Sequence, residues 1–400
     1  MILKAGIFIY ALLPLTSPTL TDIPSINPPI PRVHSLAPSI NTSTTLFKSS
    51  PSDFTHPGIW HTSADLESTR ANVLSDKDPW ASAFARFAAD PHSQANYTMQ
   101  GPYAVLSRGD VPNYTSFTRD ARAAWQNAWM WYITRAKGHW EASTGILDAW
   151  GSNLQNIIGT DRSLFIGLDG DMFVNAAEIM RHAGNWTEKG ATWRGGKGFS
   201  VQLYWLFSRQ SVPLGQANYG MVSIKALLSF AVYLEDVQLW NYAVDAYVHD
   251  NCAGLFATYQ SSSGQSGEAG RDQGHVMSGI GWAAEAARVG RSQGVDLYGL
   301  GDGLLHKGAE YAARYNLNQS VVYDPAWRRC ESVLVNGPWD AISEEERGVT
   351  AQNPVWDILF YEYVQRREMQ APWTTKAKRQ VVEGAVDLNE HPSWGDLIWA

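Results

Sequence analysis

Residues 267–275 read Gly-Glu-Ala-Gly-Arg-Asp-Gln-Gly-His (GEAGRDQGH), and a helical pattern rich in alanine and aromatic residues follows at once, over Val276–Val289. The run gathers two acids, a base, an amide and an imidazole (Glu268, Asp272, Arg271, Gln273 and His275) at the mouth of an apolar helix. Charge is costly to bury unless it is paired. The cluster is therefore either an ion-pair brace for a helix start or a reaction centre. Glu268, Arg271 and Asp272 suit both readings, whereas His275 points to chemistry.

Outward from this stretch the chain reads as helix almost throughout. Trp125, Ala128, Trp129, Tyr132 and Ala136 recur at the spacing of one helix face, with Gly138 as a stop. Further helices are expected over Leu66–Leu74 (started by Ser63 and Asp65), Glu141–Trp150, Leu168–His182, Val201–Ser208, Val222–Leu234, Val237–Val248, Leu304–Tyr315 and Pro354–Arg366. The only strand candidate is Ser332–Val335. Successive helices joined by short Gly/Asn/Asp loops suggest stacked helical hairpins, and the lack of a fixed repeat favours a closed ring over an open solenoid. The expectation is one all-α domain over residues 55–400.

The first twenty residues place Lys4 before an apolar run, Ala5–Leu15, as in a secretory signal, and the run is too short for a convincing membrane span. Residues 21–54 are rich in Pro, Ser and Thr and read as a disordered leader. Five N-x-S/T sequons, at Asn41, Asn96, Asn113, Asn185 and Asn318, agree with a secreted glycoprotein. The 31 basic and 39 acidic residues give a net charge of −8 without long runs, so no nucleic-acid or membrane partner is expected. Cys252 and Cys330 are the only cysteines, and their pairing is not legible. No metal-ligand spacing occurs, so no metal or other cofactor is expected. The chain has 18 Trp and 17 Tyr. These rings suit both cores and sugar stacking, and for most of them the core is the simpler assignment.

Three other stretches hold reactive groups. Gly215–Gly220 (GQANYG) sets Gln216, Asn218 and Tyr219 before the Val222 helix. Asn218 is there either a cap or a ligand for a carboxylate at the helix start. Tyr311 and Tyr315 lie four apart on one helical face and are either core or site. Glu344–Asn353 reads as a solvated loop. No nucleophile elbow is present. A carboxylate pair for glycoside hydrolysis is conceivable from Glu268 with Asp169 or Asp171, although no spacing selects them. Amide, imidazole and phenol together suit another reaction, the removal of the proton beside a sugar carboxylate. The amide stabilises charge flowing into the carboxylate, His or Tyr takes the proton, and a Tyr hydroxyl protonates the leaving oxygen.

GQANYG, then SGQSGEAGRDQGH, then LYGLGDGLLHKGAEYAARYNL, then NPVWDILFYEYVQRREMQAPWT and HPSWGDLIW, with HPGIWHTSADLESTRANV at the start, resemble the alginate-lyase superfamily of polysaccharide lyases. Within it they resemble the branch that holds glucuronan and alginate lyases. The resemblance runs from about His56 to the C-terminus. It implies an α/α toroid and β-elimination on a β-1,4-linked uronic-acid polymer, an acidic polysaccharide. It implies His275 as the active-site histidine and Asn218 as the neutraliser of the substrate carboxylate. Tyr311, Tyr315 or Tyr219 is then the acid/base, and Gln216, Arg271, Gln273 and Arg347 are substrate contacts. One departure stands out. Where the family often carries RGxxRP, this chain has Arg347-Gly348-Val349-Thr350-Ala351-Gln352-Asn353-Pro354, without the second arginine. Arg347 or Arg271 would have to compensate. The alternatives are a hydrolase on the same helical ring, or a uronan-binding protein without catalysis.

Overall fold

In the computed structural model, the described residues are 46–109, 112–189, 198–211, 218–327, 339–348, 353–382 and 390–400. All lie in one compact unit, Leu36–Ala400. The signal-peptide region, most of the leader, Gln216, Cys330 and the strand candidate Ser332–Val335 fall outside them.

The long helices are α1 (Ser63–Leu74), α2 (Trp80–Ala89), α3 (Thr115–Thr134), α4 (Lys137–Asn153), α5 (Asp171–His182), α6 (Asn218–Leu234), α7 (Val237–His249), α8 (Gln273–Ser292) and α9 (Leu300–Asn316). Helix α1 starts where Ser63 and Asp65 imply, because Thr62 and Asp65 satisfy each other's backbone N–H groups in a capping box. Helix α3 ends earlier than Gly138. Arg135, at φ 60°, turns the chain, and Gly138 lies inside α4. In the LGDG run at the start of α9, Gly301, Asp302 and Gly303 all adopt left-handed φ/ψ. Two glycines make that turn affordable, and regular helix follows.

Order begins before the expected boundary of the leader. Leu46 and Phe54 are buried, and Lys48 exchanges backbone hydrogen bonds with the Asn241 side chain on α7. Proline and serine made the segment look disordered, but its few apolar residues find a helical surface to cover. A second difference is a short parallel pair, β1 (Val105–Ser107) with β2 (Asn156–Ile158), too brief to show as an alternating pattern.

The hairpins α3–α4 and α6–α7 and the central helix α8 enclose the core. Trp60, Trp125, Trp129, Trp150, Trp240, Trp282 and Trp356 are all fully buried. Most meet neighbouring rings edge-on, as Trp60 meets Trp125 at 5.9 Å and 84°. Truncating such a residue to Ala costs about 3–5 kcal/mol. Helix α8 is buried on nearly all sides. Its small residues (Gly279, Gly281, Ala283, Ala284, Ala286 and Ala287) let α6 lie close along it. That approach builds the floor of the cavity described next. No described helix is long and apolar enough to cross a membrane.

Candidate active site

At the N-terminal ends of α6 and α8 lies a cavity of about 710 Å³, large enough for several sugar rings. Arg108, Thr160, Asp161, Leu164, Asn218, Tyr219, Glu268, Arg271, Gly274, His275, Ser278, Trp282, Glu346 and Glu390 line it.

Asp272 builds one wall. As N-cap of α8, its Oδ1 accepts the His275 backbone N–H at 2.7 Å, while its Oδ2 meets His275 Nδ1 at 2.6 Å. Burial raises the Asp272 pKa, but the two bonds from His275 and the charge of Arg271 outweigh it, and the carboxyl stays below its usual range. In the neutral form of the ring, an ionised Asp272 accepts the Nδ1 proton and the lone pair lies on His275 Nε2. Arg271 bridges the acids, with Nε 3.4 Å from Asp272 and Nη1 3.8 Å from Glu268. The brace reading of this run is realised in the geometry, with His275 at the cavity. Glu268, Arg271 and Asp272 form the ion-pair chain that holds the imidazole at the cavity.

Asn218 faces the same cavity as the first residue of α6, almost fully buried, and its Oδ1 has no hydrogen-bond partner. An orphaned amide oxygen costs roughly 1–3 kcal/mol. It fits because α8 has no side chain at Gly279, where an added Cβ would stand 3.3 Å from the Asn218 Cβ. Tyr219, half-buried, lies beside it. Burial raises the Tyr219 pKa and Asp161 adds to the rise, against Arg108 and Arg162. The phenol thus stays protonated at neutral pH.

Under the floor runs a buried chain of charges from three helices. Lys225 (α6) is 3.1 Å from Asp171 (α5) and 2.5 Å from Glu285 (α8), whose other oxygen is 2.6 Å from His391 Nδ1. His391 stacks on Trp282 at 5.4 Å. Burial would lower the Lys225 pKa, but the two carboxylates outweigh it and hold it above its ordinary value.

Other expected site residues lie elsewhere. Tyr311 donates its hydroxyl to the Val322 carbonyl at 2.9 Å. Burial raises its pKa. Tyr315 is buried under Arg347, whose guanidinium rests 3.8 Å from the ring centroid and donates to the Tyr315 carbonyl. Gln273 ties α8 to Ser343 and Asn316. None of these four lines the cavity, so the two helical tyrosines, Gln273 and Arg347 are packing residues here. Of the two residues that could stand in place of the second arginine, Gln352 and Asn353, Asn353 accepts the Val355 N–H. Gln352 lies outside the described residues. Asp169 accepts from Thr118 and Asp171 faces Lys225; neither lines the cavity.

The sequence reading missed several members of the lining. Glu346, set aside as part of a solvated loop, reaches the first turn of α8, where a Cβ on Gly274 would collide with its carboxylate. Arg108 and Glu390, 3.6 Å apart, enter from distant parts of the chain. Cys252 is disulfide-bonded.

No family model matches the chain, and no curated protein matches its sequence. Among solved structures, an alginate lyase from Bacteroides ovatus aligns over 86% of this chain and 100% of its own, with a TM-score of 0.55 and 12% identity. Alginate lyase A1-III from Sphingomonas species A1 aligns over 66% of this chain and 78% of its own, with a TM-score of 0.47 and 13% identity. At such identity the first likeness is one of fold, and the chain has the α/α-toroid fold of alginate lyases.

Proposed function

We propose that this chain is a secreted polysaccharide lyase that cleaves a β-1,4-linked uronic-acid polymer, alginate or glucuronan, by β-elimination. One observation carries the reading. A helix-start amide whose oxygen has no hydrogen-bond partner (Asn218), an imidazole held by an ionised carboxylate (His275 on Asp272) and a protonated phenol (Tyr219) line one cavity.

Each group has a step. The Asn218 amide, turning about a soft torsion, donates to the uronate carboxylate, with Arg271 as the nearby cation. His275 Nε2 takes the C5 proton, and the electron pair moves into the enolate of the carboxylate. The C4–O4 bond then breaks, and O4 takes a proton from the Tyr219 hydroxyl. The product is a C4–C5 double bond on the new non-reducing end. Each step uses groups of this chain alone.

The test is ultraviolet absorbance of the unsaturated uronate on mixing the protein with mannuronan, guluronan and glucuronan. A rise on one polymer supports the reading. No rise on any of them from acid to alkaline pH ends it.

A second reading has its own support, since Asp161, Glu268, Glu346 and Glu390 put four carboxylates on the cavity wall. An acid pair for hydrolysis would come from Glu268 and one of these, not from Asp169 or Asp171. Reducing ends without the unsaturated chromophore would favour hydrolysis. Saturable uronan binding that survives His275→Ala, with no turnover in either form, would instead favour a binding protein.

A further inference from the structure

Outside the cavity, a second cluster forms where the segment before α1 crosses α5. One ligand atom from each of His56, Glu178 and His182 lies within 4.8 Å of the others. Glu178 is 1% exposed. Its Oε1 is engaged, accepting the Gly58 backbone N–H at 3.1 Å and facing His56 Nδ1 at 2.7 Å. Its Oε2 has no hydrogen-bond partner. Neither has His56 Nε2 or His182 Nε2, and all three atoms are buried. The Glu235 carboxylate stands 3.5 Å from His56 Nε2, held at the α6–α7 turn by a left-handed φ of 53°.

Three buried polar atoms without a hydrogen bond in one place are an unusual cost, because Glu178 Oε2 faces His182 Nε2 only at 3.6 Å and Glu235 faces His56 Nε2 only at 3.5 Å, both longer than a hydrogen bond. The two imidazoles lie face to face, 4.2 Å apart and 10° from parallel. Charging both rings would set like charges against each other. A proton on one ring gives the Glu178 carboxylate a cation but leaves the buried Nε2 of the other ring unbonded. A single divalent ion answers the carboxylate and both ring nitrogens at once.

We propose that His56, Glu178 and His182 bind a divalent transition metal of the zinc class, with Glu235 or a water as fourth ligand. Two imidazoles and a carboxylate are a zinc-type donor set; calcium and magnesium prefer oxygen throughout. The rings are nearly parallel, so one imidazole turns about its broad outer torsion to bring its lone pair onto the ion. His182, with its side chain 21% exposed, has room to do so. The site fastens the segment around His56 to α5 and to the α6–α7 turn, so binding adds to folding stability. None of the four side chains lines the cavity, and the role is structural. Glu178 and His182 are four apart on α5 and share a face, but only the fold brings His56 to them.

The test uses the untagged full chain, stripped with chelator and titrated with Zn²⁺, with Mg²⁺ and Ca²⁺ as controls. The expected result is one equivalent of zinc and a rise in Tm with zinc only. Zinc X-ray absorption should show two imidazole nitrogens and carboxylate oxygen at about 2.0–2.1 Å. His182→Ala, with its helical circular dichroism intact, should lose the uptake. No stoichiometric uptake, uptake equal in His182→Ala, or a zinc shell without imidazole each overturns the proposal. The readout is independent of lyase activity.

Discussion

Asp272 holds His275 at two points, its backbone N–H at 2.7 Å and its Nδ1 at 2.6 Å. One carboxylate thus caps α8 and sets the tautomer of the cavity's imidazole. His275→Ala is expected to lower kcat by about 10²–10⁴-fold with little change in stability. Asp272→Asn keeps an oxygen for the cap but loses the charge, and a smaller loss is expected, in kcat more than in KM. Steady-state rates on the preferred polymer check both, and a His275→Ala enzyme at full rate would refute the assignment of the base.

Asn218 depends on the absence of a side chain at Gly279. Gly279→Ala sets a methyl 3.3 Å from the Asn218 Cβ and 3.9 Å from the Tyr259 hydroxyl, so activity should fall while stability drops by about 1–3 kcal/mol. Asn218→Asp keeps the shape but opposes the substrate carboxylate with like charge. A loss of about 10²–10³-fold in kcat/KM is expected. Parallel kinetics and thermal melts separate the two effects.

Three tyrosines are told apart by the same substitution. Tyr219→Phe should remove the acid and most turnover. Tyr311→Phe should keep activity and lose the bond to Val322, about 0.5–1.5 kcal/mol by denaturant titration. Tyr315→Phe keeps the ring under Arg347 and should change neither. A fully active Tyr219→Phe would move the acid role elsewhere.

Asp169 gives a pH signature. Burial raises its pKa to about 6, against the Thr118 hydroxyl and the charges of Arg108 and Arg122. The folded state therefore binds this proton more tightly than the unfolded chain, whose carboxyl has the ordinary value of 3.8. The resulting stability is complete below that ordinary value and is lost as pH rises through about 6. It amounts to at most about 3 kcal/mol. Asp169→Asn should flatten the fall of stability between those two pH values, as followed by urea midpoints. An unchanged slope would show that Asp169 titrates normally.

Lys225 balances Asp171 and Glu285 inside the protein. Lys225→Met leaves two buried carboxylates facing each other, and a loss of about 3–5 kcal/mol is expected. A melting temperature equal to that of the wild type would mean that the network accepts a proton at little cost.

The helices were legible in the sequence because burial writes its period into the chain. The three- and four-residue spacing around Trp125 and Trp129, the Thr62–Asp65 cap and the Asp272 start of α8 are all local signals. His275 and Asn218 were picked out mainly through the family resemblance of their motifs, since an Asn at a helix start reads by itself as a cap as readily as a ligand. Which tyrosine faces the cavity was not legible. Tyr311 and Tyr315 share a helical face, and periodicity cannot say whether that face meets a groove or, as here, Val322 and Arg347. Glu346, Arg108 and Glu390 carried no local signal at all. Their place is set by how loops cross the mouth of the helical ring, and likewise only chain crossing brings His56 to Glu178 and His182. Short-range pattern thus determined the elements and pointed to two of the cavity residues. Long-range packing, through the Gly279 gap and the close approach of α6 to α8, decided which side chains share one cavity, because contacts between distant segments leave no period in the sequence.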